Sequence, residues 1–154
     1  MIKILFICHG NICRSPMGEF IMKKMLKEAG LGDKVQVGSV AATRDEIGND
    51  MYPPAKEKLR KEGVPFNPRQ ARLLTRKDYE ENDYLIAMDR ENLDDIRYLV
   101  GEDKDHKVHL MMDFAGEHRE VADPWYTCNF DVTYDDLVKG CTGLLRDVRE
   151  KLGE

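Results

Sequence analysis

Cys8 and Arg14 stand six residues apart in CHGNICRS, a stretch that also holds His9, Gly10, Asn11, Ile12, Cys13 and Ser15. A cysteine attacks as the thiolate, and a neighbouring arginine together with a helix N-terminus draws off its proton. Arginine adds a planar fork matched to two oxygens of one phosphate. Successive backbone N–H groups in a turn form a nest for an anion, and the start of a helix adds partial positive charge. Gly10 and Asn11 suit such a wrap, because glycine and asparagine tolerate positive φ best. The chemistry these residues could do is attack of sulfur on phosphorus. An ester cleaved in that way needs a proton for its leaving oxygen, and the same group can later take one from water. Asp123, with Pro124 stiffening the chain behind it, is the candidate acid.

These groups work only if the chain brings them together. Residues 2–7 are apolar apart from Lys3, the pattern of a strand buried on both faces. Met17, Ile21, Met22, Met25, Leu26 and Ala29 then recur at helical spacing until Gly30. CHGNICRS is thus the loop between a first strand and a first helix, with Ser15 as N-cap and Pro16 in the first turn. Further strands are predicted over 35–40, 83–88 and 107–112, helices over 53–63 and 90–100, and a loop over 113–131. Tyr134, Leu137, Val138, Cys141, Leu144, Leu145, Val148 and Leu152 form an apolar stripe on a last helix. Strands alternating with helices predict an α/β fold, one three-layer domain over 1–154 with a parallel, doubly wound sheet and helices on both faces. Ligands in such sheets sit beyond the carboxyl ends of the strands. Both Cys8 and the loop carrying Asp123 fall at that edge.

Composition removes several other classes. A net charge of −5 argues against a general nucleic-acid binder. The first apolar run stops at Cys8, too short for a signal-peptide core or a membrane span, so a cytoplasmic protein without membrane insertion is expected. Thiols stay reduced there, and four unevenly spaced cysteines read as core or reactive residues rather than a disulfide framework.

CHGNICRS followed by Pro16, VGSVAAT at 37–43, the pair Ala71-Arg72, AMDREN at 87–92 and DPWY from Asp123 resemble the low-molecular-weight protein tyrosine phosphatases over nearly the whole chain. The resemblance implies a four-stranded parallel sheet, no metal or other cofactor, and hydrolysis of aryl phosphates through a phosphocysteine. It makes Cys8 the nucleophile, Arg14 the phosphate clamp and Asp123 the general acid and base. By the same resemblance, Asn11 and Ser39 fix the loop, the Ser15 hydroxyl stabilises the thiolate, and Cys13 is the redox partner of Cys8. Trp125 and Tyr126 offer amphipathic surfaces for the ring of a phosphotyrosine-containing protein substrate. A monomer is expected.

Two positions depart from the family pattern. His9 replaces a usually apolar residue after the nucleophile and puts a titratable ring on the rim. The 41–50 segment, AATRDEIGND, lacks the aromatic that relatives often place there, so one wall of the cleft is expected to be absent or polar. Ile12 stands where phosphoarginine-cleaving relatives tend to have threonine, which favours tyrosine. The rival readings are a phosphoarginine phosphatase, a thiol-based arsenate reductase, a cysteine phosphocarrier and a non-enzymatic phosphate-binding module. Cys128 and Cys141 do not match a reductase's downstream pair, and a phosphocarrier needs neither Arg14 nor Asp123. Cys141 reads as core and Cys128 as an exposed thiol. His106, His109 and His118 lack metal-ligand spacing with the cysteines. Asp89 and Asn92 read as a helix N-cap and first-turn residue without a catalytic role.

Overall fold

The computed structural model describes all residues, 1–154. Four parallel strands make one sheet in the order β2-β1-β3-β4: β1 Ile2–Cys8, β2 Val35–Ala41, β3 Tyr84–Ala87 and β4 Val108–Leu110. Around them run α1 Arg14–Glu28, α2 Pro53–Lys61, α3 Arg76–Glu81, α4 Arg90–Val100, a short α5 Pro124–Thr127 and a long α6 Phe130–Lys151. The predicted α/β class and the layering hold.

The period-two geometry of β1 decides which face each residue enters. Ile4, Phe6 and Cys8 join a core with Met17, Phe20 and Ile21 of α1, Leu59 of α2 and Leu137, Leu144 and Val148 of α6. Leu5 and Ile7 join a second core on the other face, with Val40, Leu74, Tyr79 of α3, Leu85 and Ile96 of α4. Cys8 thus ends its strand on the α1 side. Because β1 lies between β2 and β3, the chain leaves it toward one side and later returns on the other, and the carboxyl end of β1 is a topological switch point. The crevice opening there is where a ligand can sit.

Several boundaries differ from expectation for physical reasons. The fourth strand stops at Leu110 rather than 112, because the chain turns into a 3-10 helix, Met111–Ala115, that buries Met111 and Met112 against α6. Glycine in α6 permits that approach: a Cβ on Gly143 would lie 1.8 Å from the Phe114 carbonyl oxygen. The 113–131 segment, expected as loop, holds part of this turn and all of α5. Helix α3 had no apolar stripe to announce it. It starts from a capping box in which the Thr75 side chain accepts from the Asp78 N–H while the Asp78 carboxylate accepts from the Thr75 N–H. Ser15 is not an N-cap: α1 begins at Arg14, its N-cap position is Cys13, and no side chain bonds there. No helix is long and apolar enough to cross a membrane.

Candidate active site

The loop from Cys8 into α1 is held by a chain of buried polar side chains. Ser15 turns inward, and its hydroxyl lies 3.0 Å from Cys8 Sγ while its backbone N–H donates to the same sulfur at 3.3 Å. Asn11 Nδ2 donates to Ser15 Oγ at 2.7 Å and to Ser39 Oγ at 3.0 Å. With its oxygen already accepting from Asn11, the Ser15 hydroxyl is free to aim its hydrogen at sulfur. Ser39 passes the chain on by donating to Glu19 Oε1 at 2.6 Å, and Arg69 donates to Asn11 Oδ1. Asn11, Ser15 and Cys8 are all buried. Asn11 has φ 61°, a left-handed conformation that asparagine tolerates and that this network holds in place. Gly10 does not share it: its φ is not positive, and its lack of a side chain instead admits Glu46, whose Cγ would sit 3.1 Å from an added Cβ.

Arg14 is 2% exposed and lies among carboxylates. Its NH1 donates to Asp89 Oδ2 at 2.7 Å and to the Val121 carbonyl at 2.9 Å, and its NH2 reaches Asp123 Oδ2 at 3.3 Å. Burial works against its charge, but Cys8, Asp123 and Asp89 outweigh that and hold the guanidinium protonated more firmly than usual. Asp123 caps α5 by accepting from the Trp125 N–H at 3.0 Å, so one carboxylate oxygen serves the backbone and the other faces Arg14. Val121 N–H donates to the Met88 carbonyl at 2.9 Å, which pins the acid's loop to the end of β3.

Asp89 has more to do than capping. Its Oδ1 accepts from the Asn92 N–H at 2.8 Å, as the N-cap reading requires, while its Oδ2 holds Arg14. It is a positioning residue that the sequence reading left outside the site. Arg69 was missed as well. The partners of these two lie 75 and 58 residues away in sequence, so no local pattern could reveal them.

The crevice above the loop is a cavity of about 150 Å³. Its floor is Cys8, Gly10, Ile12, Cys13 and Arg14, and Asp123, Trp125 and Tyr126 form one side. His9, Asp45 and Glu46 line the cavity as well, so the 41–50 wall is present and acidic. This segment is tied to the floor by the Ala42 N–H on the Cys8 carbonyl and by both the N–H and hydroxyl of Thr43 on the His9 carbonyl. Just beyond it, Tyr52 packs on Trp125 with ring centroids 4.9 Å apart, without itself lining the cavity. His9 Nε2 pairs with Asp45 Oδ2 at 2.6 Å. The ring also faces Glu91 and Asp95, and donor atoms of His9, Glu91 and Asp95 lie within 4.8 Å of one another, the one grouping of side chains with spacing suited to a metal ion.

All four cysteines are free thiols. Cys141 is buried in the α6 interface and Cys128 is exposed, as expected. Cys13 lies beneath the cleft, where burial first and then the charges of Cys8 and Asp123 push its thiol pKa up.

The family model described as low molecular weight phosphotyrosine protein phosphatase matches residues 3–154. The chain is 35% identical over 153 residues to the low molecular weight protein-tyrosine-phosphatase YfkJ of Bacillus subtilis, covering 98% of each chain. The crystal structure of YfkJ superposes with a TM-score of 0.93 over 98% of this chain and 96% of that one. The low molecular weight protein-tyrosine-phosphatase PtpA of Staphylococcus aureus is 33% identical over 145 residues, 94% of this chain and 92% of its own length. A Drosophila arginine phosphatase, 24% identical, shares the fold with a TM-score of 0.87, covering 96% of this chain and 98% of its own. With the profile spanning almost every residue and relatives aligned end to end, this chain belongs to the low molecular weight phosphotyrosine protein phosphatase family and is a hydrolase of that class.

Proposed function

We propose that this protein removes phosphate from phosphotyrosine in protein substrates through a phosphocysteine on Cys8. The observation that carries the reading is the convergence of the Cys8 sulfur, the Ser15 hydroxyl and amide, Arg14 and Asp123 on one cleft. The phosphate sits in the loop, where the N–H groups at the start of α1 and the free edge of Arg14 take its oxygens. Cys8 Sγ attacks phosphorus as the bond to the tyrosine oxygen breaks, and Asp123 gives that oxygen its proton. Water then attacks the phosphocysteine and passes a proton to Asp123. The thiolate leaves into the hydroxyl and N–H of Ser15, and inorganic phosphate departs. Charge stabilisation by Arg14 and the loop amides supplies much of the rate, as preorganised donors do for other oxyanions.

Asp89 positions Arg14, and the Asn11, Ser39 and Ser15 network positions the sulfur. Cys13 is proposed as the thiol that traps an oxidised Cys8 as a disulfide. The cavity side formed by Trp125 and Tyr126 suits a ring better than a short alkyl stem. The protein is proposed to act in the cytoplasm as a monomer. A reductase relay finds no support in Cys128, which is exposed, or Cys141, which is buried on the core face of α6.

The test is hydrolysis of phosphotyrosine, phosphoserine and phosphoarginine peptides without added metal. Phosphotyrosine is expected to be fastest. Asp123→Asn is expected to slow poor leaving groups more than activated phenols, because an activated phenolate hardly needs the proton. A clear preference for phosphoarginine contradicts the substrate. Equal losses across leaving groups, with chemistry rate-limiting, remove Asp123 as the acid.

A further inference from the structure

The cleft's mouth carries the wrong charge for its guest. A loop built for a phosphate dianion opens beside Asp45 and Glu46, and like charges brought to one cleft repel. Neither carboxylate makes an ion pair with a lysine or arginine. The Asp45 carboxylate engages only His9, whose ring also faces Glu91 and Asp95. Glu46 Oε2 accepts from the Asn49 amide at 2.5 Å, and its stem packs over Gly10. Each therefore keeps an oxygen outside these bonds, and the Asp45 side chain is 66% exposed. Trp125 lines the same cleft and offers a face on which a guanidinium can stack.

We infer that Asp45 and Glu46 select phosphotyrosine substrates carrying arginine or lysine beside the phosphorylated residue. This assignment rests on the phosphotyrosine reading above. Such a substrate is zwitterionic at the point of contact. Its phosphate enters the loop while the flanking cation meets the two carboxylates, so the repulsion that an anionic neighbour would feel becomes attraction. The two residues are specificity determinants placed at the entrance rather than at the reacting atoms.

The experiment compares two phosphotyrosine peptides of one sequence, flanked on both sides by arginine or by glutamate. At low ionic strength the arginine peptide is expected to have roughly tenfold higher kcat/KM, from two exposed charge pairs worth up to about a factor of five each. In about 0.5 M salt the ratio shrinks, because exposed charges are screened. The double variant D45N/E46Q brings the ratio close to one and lowers KM for an aryl phosphate that carries no cation, which damage to the fold would not do. Because the ratio is taken within one protein, partial misfolding leaves it unmoved. Equal rates for both peptides in the wild type leave the phosphotyrosine reading intact and overturn this assignment. So does a preference that survives in D45N/E46Q. Hydrolysis of neither peptide, with phosphoarginine consumed instead, overturns the phosphotyrosine reading and this assignment with it.

Discussion

The floor of the cleft and its mouth are built on opposite plans. In the loop that makes the floor and behind it, Asn11, Arg14 and Ser15 are almost wholly buried, and each is held by at least two polar contacts to other elements or to the nucleophile. At the mouth, Tyr126 is 81% exposed and Asp45 and Trp125 are also exposed, each fixed by few contacts. A buried polar group that loses its partner costs the full desolvation of that group, so the floor tolerates little change. Exposed side chains are replaced cheaply. The difference separates chemistry, which needs sub-ångström placement, from substrate choice, which needs only charge and shape.

The sharpest way to break the comparison is at Arg14. Arg14→Lys is expected to cost about 10³-fold in kcat/KM, because an ammonium cannot reproduce the fork while leaving Asp89 and Asp123 partnered. A loss below tenfold, measured with a slow leaving group, would mean the clamp is not what the floor is built around.

Asp89 separates positioning from stability. Asp89→Asn keeps an N-cap side chain but weakens the ionic hold on Arg14, and about a tenfold loss of kcat/KM is expected with little change in Tm. Asp89→Ala loses the cap as well, and about 1 kcal/mol of stability should go with it in urea unfolding. Activity losses that merely track stability in both variants would reduce Asp89 to a helix cap.

The smallest effect on turnover is expected at Cys13. Its burial keeps the thiol protonated, so Cys13→Ser should hold kcat/KM within about threefold. The variant should instead lose recovery. Wild-type enzyme inactivated by brief peroxide treatment is expected to regain activity with a dithiol and to show a Cys8–Cys13 bond by mass spectrometry, whereas Cys13→Ser is over-oxidised irreversibly. Full recovery of Cys13→Ser would remove Cys13 as the resolving thiol.

How much of this could be read in advance follows sequence distance. The strand, loop and first helix are contiguous, so Cys8, Asn11 and Arg14 could be placed from one apolar run and one helical stripe. Asp123 could be placed at the same sheet edge because parallel topology sends every strand's exit there. Asp89 could be read only as a cap. Its second oxygen meets an arginine on another element, and that pairing exists only once β3 lies beside β1. Ser15 looked like an N-cap because its residue type fits one, yet burial against the sulfur turned it inward. The acidic wall was legible as a missing aromatic at 41–50, while its closeness to the nucleophile depends on Glu46 packing over Gly10. Helix α3 carries too short an apolar pattern to be seen by periodicity, and only its capping box marked it.

The central assignment is the sulfur of Cys8 as the phosphate carrier, and it can be trapped. Asp123→Asn treated with an activated aryl phosphate should form the covalent intermediate readily but hydrolyse it slowly, since the second step lacks its base. Acid quench followed by intact-mass and peptide analysis is expected to find one phosphate per chain, on Cys8, with phenol released in a burst that matches the enzyme concentration. Steady turnover with no burst and no phosphorylated Cys8, or the same turnover surviving in Cys8→Ser, would contradict it.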